Sequence, residues 1–386
     1  MKRKLQVLLS LVCTAVLFSS CASTDTQKEN VTQKEEGRKV NEKQSNLDVL
    51  NPIAYSDVSG IKLEPGSYIS IIGKSNNGEF WEEVKAGAER AAEDLNAALG
   101  YKGEDKIKVN YSGASKGENI EDQINILDEE LARNPVAVGI AIIDSTACEV
   151  QFDLAAENGI PIVAFDSGSD YKNIQAMCSA NNSEIGKTGA TKLASVLDDT
   201  GEVALFVHDK ESTSAKLREE GFLKEIQENH PNIKVPLVYH LDDLEETAKT
   251  IASERNKNKK EGEKDVLPEE ITQTEAIQYV LKKNPNIKGC FSTNISANEE
   301  LLTALEGEDR DLKIISVDGG ESQLQALKDG KVNGLIVQNP YAMGYATVIS
   351  AARASLGMGN QAFIDSGFIW VTKDNMNKKT IKRMLY

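Results

Sequence analysis

Mostly apolar residues fall in short continuous runs along this chain, at 68–72, 136–143, 160–165, 203–207, 235–239, 289–291, 314–317 and 335–337. Between them, apolar positions recur every three to four residues; Trp81, Val84, Ala88, Ala91 and Leu95 share one face of the first such segment. Short uninterrupted runs suit parallel strands covered on both faces, and the 3.6-residue rhythm suits the amphipathic helices that cover them. Sustained alternation of the two predicts an α/β fold with two doubly wound, Rossmann-like parallel-sheet lobes rather than one very wide sheet.

Five polar residues stand just past the ends of these runs: Asn76, Asp166, Asn294, Asp318 and Gln338. In parallel sheets all of them collect at the carboxyl edge, where open α/β folds hold small ligands. Carboxylates and amides can each bond two neighbouring hydroxyls, so the set suits a polyhydroxylated small molecule. Metal or redox chemistry finds little here. His208, His230 and His240 lack ligand spacing, and Cys148, Cys178 and Cys290 form no CxxC pair. The cysteines read as small buried apolar residues, and no cofactor is implied.

The first residues change the picture of location. Lys2, Arg3 and Lys4 precede an apolar run over 5–18, then Ser19, Ser20 and Cys21. This is the layout of a secretory signal over 1–20, too short to span a bilayer comfortably. Small residues ending at a cysteine resemble the lipobox of bacterial lipoproteins, with Phe18 in place of the usual leucine; the resemblance implies a lipidated Cys21 and anchoring to the outer face of the cell membrane. Residues 22–46 are polar and charged, so 21–66 is expected to be a disordered tether, with a reach of about 35–40 Å. The whole chain of 386 residues carries 60 acidic and 44 basic residues, and removing 1–20 lowers the net charge from −16 to −19. Such a surface repels phosphate backbones, which argues against nucleic acid as a partner. A second charged stretch, 256–270, is expected to be a solvated insertion without chemistry.

The segment Ser75-Asn76-Asn77-Gly78-Glu79-Phe80-Trp81 resembles the first ligand loop of the ribose-type (type 1) periplasmic sugar-binding proteins. Similarity continues through Asp166-Ser167, the TSAKLREEGF stretch bearing Arg218, Phe291-Ser292-Thr293-Asn294, Ser316-Val317-Asp318-Gly319 and Val337-Gln338-Asn339-Pro340, and covers roughly 67–375. The resemblance implies ligand contacts from Asn76, Phe80, Trp81, Asp166, Arg218, Asn294, Asp318 and Gln338, with paired aromatics sandwiching a sugar ring. Ser167 stands where the family has an arginine. The family's second-lobe aromatic has no clear counterpart, His240 or Leu241 being nearest its place. It further implies a lobe of 67–179 plus 338–367, a lobe of 180–337 plus 368–386, and three hinge segments near 178–181, 338 and 366–369. A monomer is expected to close on a monosaccharide and hand it to the membrane permease of an ABC importer.

Other functions on the same fold are weaker. Gly186-Lys187-Thr188 resembles the tail of a phosphate loop, but Asn181 holds the earlier glycine position, and no G-x-S-x-G elbow is present. Asp166 and Asp318 could form an acid/base pair only in an enzyme that lacks every other signature. Lac-repressor-like regulators carry a DNA-binding helix pair where this chain has its signal and tether. A sensor subunit presenting its ligand state to a membrane kinase or chemoreceptor is the remaining alternative.

Overall fold

The computed structural model describes residues 44–308 and 310–386, and Cys21, the signal segment and most of the expected tether lie outside them. The first of two sheets contains β1 Tyr68–Gly73, β2 Lys108–Gly113, β3 Ala137–Ile140, β4 Ile162–Phe165, β5 Ile174–Ser179 and β11 Phe363–Asp365. The second contains β6 Gly201–Val207, β7 Ile233–His240, β8 Ile287–Ser292, β9 Lys313–Val317, β10 Gly334–Gln338 and β12 Phe368–Val371. Their orders are β11-β5-β4-β3-β1-β2 and β12-β10-β9-β8-β6-β7. Both lobes thus repeat the doubly wound 2-1-3-4-5 arrangement, in which ligands bind at the carboxyl end of the sheet where the strand order reverses. β11 joins β5 in parallel and β12 joins β10 antiparallel. The two-lobed α/β fold expected from the alternation is the fold observed.

The chain passes between sheets after Ser179, after Gln338 and between Asp365 and Phe368. Following the second passage, the helix Pro340–Ser355 is buried over most of its length against the first sheet and the helix Glu79–Leu99. Close approach explains two glycines. A Cβ on Gly87 would sit 1.9 Å from the Tyr341 carbonyl oxygen, and one on Gly344 would sit 1.9 Å from that of Val84. The helix-periodic residues Trp81, Val84, Ala88, Ala91 and Leu95 all face this interior.

The tether expectation needs correction at its far end. Leu47, Leu50, Tyr55, Ile61 and Leu63 are buried in the first lobe's core, and Asn51 exchanges backbone hydrogen bonds with Asp365 at 2.9 and 2.8 Å. Widely spaced apolar residues that look too sparse for a core of their own suffice to cover an existing one. β2 went unseen for a related reason: as an edge strand reading Lys-Val-Asn-Tyr-Ser-Gly it carries no apolar run. The 256–270 stretch is largely exposed, with Asn256 bonded to both backbone groups of Val266. No described helix is long and apolar enough to cross a membrane.

Candidate functional site

Between the carboxyl edges of the two sheets lies a cavity of about 390 Å³. Its walls include Lys74, Asn77, Glu79, Phe80, Trp81, Glu118 and Asp166 from the first lobe, and His208, Arg218, Asn294, Glu299, Asp318 and Gln338 from the second. Seven of the eight expected residues therefore meet there. The exception is Asn76, which is exposed and does not line the cavity. Its backbone amide donates to the Ala114 carbonyl at 3.0 Å. The residue that follows β1 into the cleft is Lys74, and in sequence a single lysine after a strand reads as surface charge.

Lys74 is 2 % exposed, its Nζ 3.6 Å from Asp166 Oδ2 and 3.8 Å from Glu118 Oε2. Burial pulls the ammonium's pKa down, but the carboxylates of Glu118, Asp166 and Asp209 outweigh it and hold the pKa above its usual value. Both separations are too long for hydrogen bonds, so the ammonium is charged with its donors available to an oxygen placed between it and the carboxylates. Glycines shape this corner. A Cβ on Gly73 would fall 2.0 Å from the Tyr111 hydroxyl oxygen, and that hydroxyl donates to the Ser75 carbonyl at 2.7 Å.

Asp166 and Asp318 follow β4 and β9 with φ of 56° and 84°. Left-handed backbone at non-glycine residues is uncommon, with aspartate and asparagine among the types that tolerate it. Asp318 is held from three sides: Oδ1 accepts from Gln338 Nε2 at 2.7 Å and from the Tyr386 hydroxyl at 3.1 Å, and Oδ2 accepts from the Ile295 amide at 3.2 Å. Burial raises its pKa above the usual carboxylate value, against the opposing pull of Arg218 and these three bonds. Gln338 Oε1, on the other arm of the same amide, is buried without a hydrogen-bond partner.

Arg218 is buried on the helix Thr213–Asn229, where Nε donates to Asn182 Oδ1 at 2.8 Å and Nη1 to the Thr293 carbonyl at 2.6 Å. Two bonds to fixed groups lock the planar guanidinium in one orientation. Its backbone is set by Gly186, whose Cβ, if present, would lie 2.1 Å from the Arg218 carbonyl oxygen. Gly186 is therefore a helix-packing contact, and Gly186-Lys187-Thr188 lies within the helix Asn182–Val196. Asn294 caps the helix Ile295–Ala304 by accepting from the Ala297 amide at 2.8 Å, which leaves its NH2 group for the cavity.

His208, which lacks metal-ligand spacing in the sequence, also lines the cavity. It shares a 2.7 Å hydrogen bond between Nδ1 and Thr293 Oγ1. Burial, helped by Arg218 and Lys74 and opposed by Asp209, pushes its pKa down to about 3, so the ring is neutral at physiological pH. His240 and Leu241 do not line the cavity, and His240 Nε2 instead meets Glu219 Oε2 at 2.8 Å. The aromatic arrangement also departs from expectation. Phe80 and Trp81 meet edge to face, 5.0 Å apart at 81°, so they cannot sandwich a ring between them; Trp81 in turn packs on Phe165. Ser167, at the place of the family arginine, faces Thr213 across the lobes at 3.1 Å between hydroxyl oxygens.

No group of three or more potential metal ligands is present among the described residues. A cleft of carboxylates, amides, a guanidinium and an ammonium around two aromatic edges can bind a small polar molecule through many directed hydrogen bonds. The family of this chain agrees with that chemistry. Residues 69–358 match the model of the periplasmic binding protein domain. The ribose import binding protein RbsB of Bacillus subtilis (strain 168) is 22% identical over 268 residues, covering 69% of this chain and 75% of that protein. The Haemophilus influenzae protein of the same name is 22% identical over 281 residues, covering 72% and 82%. Among solved structures, a carbohydrate transporter solute-binding protein from Agrobacterium radiobacter, in complex with D-arabinose, is 26% identical with a TM-score of 0.68, over 83% of this chain and 99% of that one. The chain belongs to the periplasmic binding protein family.

Proposed function

We propose that this protein is a lipid-anchored extracytoplasmic solute-binding protein that closes on a neutral monosaccharide and delivers it to an ABC importer. The observation that carries the sugar reading is the Lys74 ammonium on the cavity wall, whose Nζ stands 3.6 Å from Asp166 Oδ2 and 3.8 Å from Glu118 Oε2, beyond hydrogen-bond reach of both. A ligand hydroxyl placed between them accepts from the ammonium and donates to a carboxylate, so a molecule carrying several hydroxyls suits this wall. Site residues under this reading are Lys74, Phe80, Trp81, Asp166, His208, Arg218, Asn294, Asp318 and Gln338. Ionisable groups lining the cavity are mainly acidic, Glu79, Glu118, Asp166, Glu299 and Asp318 against Lys74 and Arg218, which favours a neutral ligand over an anionic one.

Closure about the three passages between lobes fits contacts that already span the cleft. Glu79 Oε2 accepts from the Glu321 amide at 2.8 Å, and Thr213 Oγ1 accepts from the Gly168 amide at 2.7 Å. A permease that recognises only the closed form would then respond to ligand through differential affinity. Anchoring rests on the signal-like segment and Cys21. Thermal-shift screening of residues 22–386 against pentoses, hexoses, polyols, uronic acids and nucleosides tests the binding reading. A sugar at 100 times its Kd is expected to add about 2.7 kcal/mol of apparent stability. A folded sample unmoved by every neutral sugar would refute it.

A further inference from the structure

Tyr386 lies outside every motif that carries the family resemblance, and it touches both halves of the candidate site. Its hydroxyl donates to Asp318 Oδ1 at 3.1 Å, on the second lobe's wall of the cavity. Its ring meets Phe80, on the first lobe's wall, edge to face at 6.0 Å and 75°. Hydrophobic packing repeats this pattern, since the ring packs against the cores of both lobes. The segment that carries it is pinned beside the passages between lobes. Asn46 Nδ2 donates to the Arg383 carbonyl at 2.9 Å, Asn339 Nδ2 donates to the Asn46 carbonyl at 2.9 Å, and Met384 is buried.

We infer that Tyr386 is a positioning residue of the ligand site, which fixes the Asp318 carboxylate for the ligand and ties it to Phe80 when the lobes are together. Making both contacts at once requires the closed arrangement, because Phe80 rides on one lobe and Asp318 on the other; the hydroxyl bond to Asp318 does not by itself depend on it. Asp318 has room for about four hydrogen bonds and uses three inside the protein, so the direction of the remaining acceptor site is set by where the other three point. Removing the Tyr386 hydroxyl frees the carboxylate to rotate toward Gln338. The charged and titratable groups facing Asp318 are Arg218 on the helix Thr213–Asn229 and Tyr386 itself, with Glu79 and Glu299 lining the same cavity. The Tyr386 bond is among those that favour the ionised carboxylate, and burial opposes it.

Tyr386→Phe deletes the hydroxyl and keeps the ring on Phe80. Carbon-13 NMR of the ligand-free protein labelled at aspartate carboxyls follows Asp318 directly, its resonance assigned by its absence from Asp318→Asn. The Asp318 titration midpoint is expected to move to higher pH in Tyr386→Phe, with the melting temperature little changed. Titration with D-ribose, the second arm, rests on the sugar-binding reading and is expected to show roughly tenfold weaker binding, the loss of one charge-assisted hydrogen bond's orientation. An unmoved midpoint overturns the inference, including where D-ribose binding is weakened, since a merely structural tyrosine would weaken binding without touching the carboxyl. Failure of the wild type to bind D-ribose would count against that choice of sugar and leave the NMR arm to decide this one.

Discussion

Replacing Asp318 with asparagine separates the charge of this side chain from its shape. Alanine is the poorer probe, because at φ 84° a left-handed backbone costs an ordinary L-residue about 1–2 kcal/mol, whereas asparagine adopts it readily. In Asp318→Asn one carbonyl oxygen must serve the donors of Gln338, Tyr386 and Ile295, which now share two acceptor oxygens. At least one of these buried donors then faces an NH2 group, a loss of about 1–3 kcal/mol in folding stability. Ligand binding suffers separately. A hydrogen bond from a sugar hydroxyl to a charged acceptor is worth about 1.5–3 kcal/mol, which corresponds to roughly 10- to 150-fold in Kd. Isothermal titration of wild type and variant with the best sugar from the thermal-shift panel measures the ratio, and denaturant unfolding without ligand measures the first loss. A Kd within threefold of wild type would show that Asp318 does not contact the ligand and would remove the second lobe's main anchor from the site.

Four other outcomes are expected. Lys74→Met should weaken binding of the same sugar by about 2 kcal/mol, because the ligand oxygen between Lys74 and Asp166 loses its charged donor; calorimetry showing unchanged affinity would place the ligand elsewhere in the cavity. In Gly186→Ala the new methyl meets the Arg218 carbonyl at 2.1 Å, so overpacking of about 1–3 kcal/mol outweighs the helix-propensity gain of at most about 1 kcal/mol. An alanine variant at least as stable as wild type in urea would refute that contact. His208 has a folded pKa depressed to about 3 by burial, and Asp209 is also depressed, so both groups bind protons more readily in the unfolded chain and stability falls as the pH drops below about 6.5. Melting curves of His208→Gln should show a shallower acid loss than wild type between pH 6.5 and 4, and superimposable curves would contradict the assignment. Uronic acids should bind far more weakly than the parent neutral sugars, given the acidic lining, and equal affinity in calorimetry would show that the carboxylates are not ionised toward the ligand.

Sequence patterning conveyed the architecture because most central strands are buried on both faces and so read as apolar runs, with β3, β4, β6 and β8 almost wholly buried; β5, reading Ile-Gln-Ala-Met-Cys-Ser and only partly buried, gives no such run. What escaped it was governed by context. β2 and the covering segment around Leu47, Leu50 and Tyr55 owe their places to the surface they lie on rather than to any periodicity of their own. Within the site, residues that follow a strand directly, such as Asp166 and Asp318, were legible. Asn76 was not, because one more turn of chain past β1 carries it to the surface and leaves Lys74 at the edge. Lys74, His208 and Tyr386 gain their roles from burial beside groups distant in sequence, and a lone lysine, histidine or tyrosine carries no local signature of that. The glycines at 186 and 87 belong to the same class, since only the neighbouring helix reveals why a side chain is excluded.

The central claim is that the cleft between the lobes binds a neutral sugar through Lys74 on one wall and Asp318 on the other. Isothermal titration of neutral aldopentoses and aldohexoses into the wild type, and into Lys74→Met combined with Asp318→Asn, tests it most directly. One site per chain is expected for at least one sugar, with no detectable binding of that sugar by the folded double variant. Saturable binding that survives both substitutions, or no binding of any neutral sugar to a folded wild type, would contradict it.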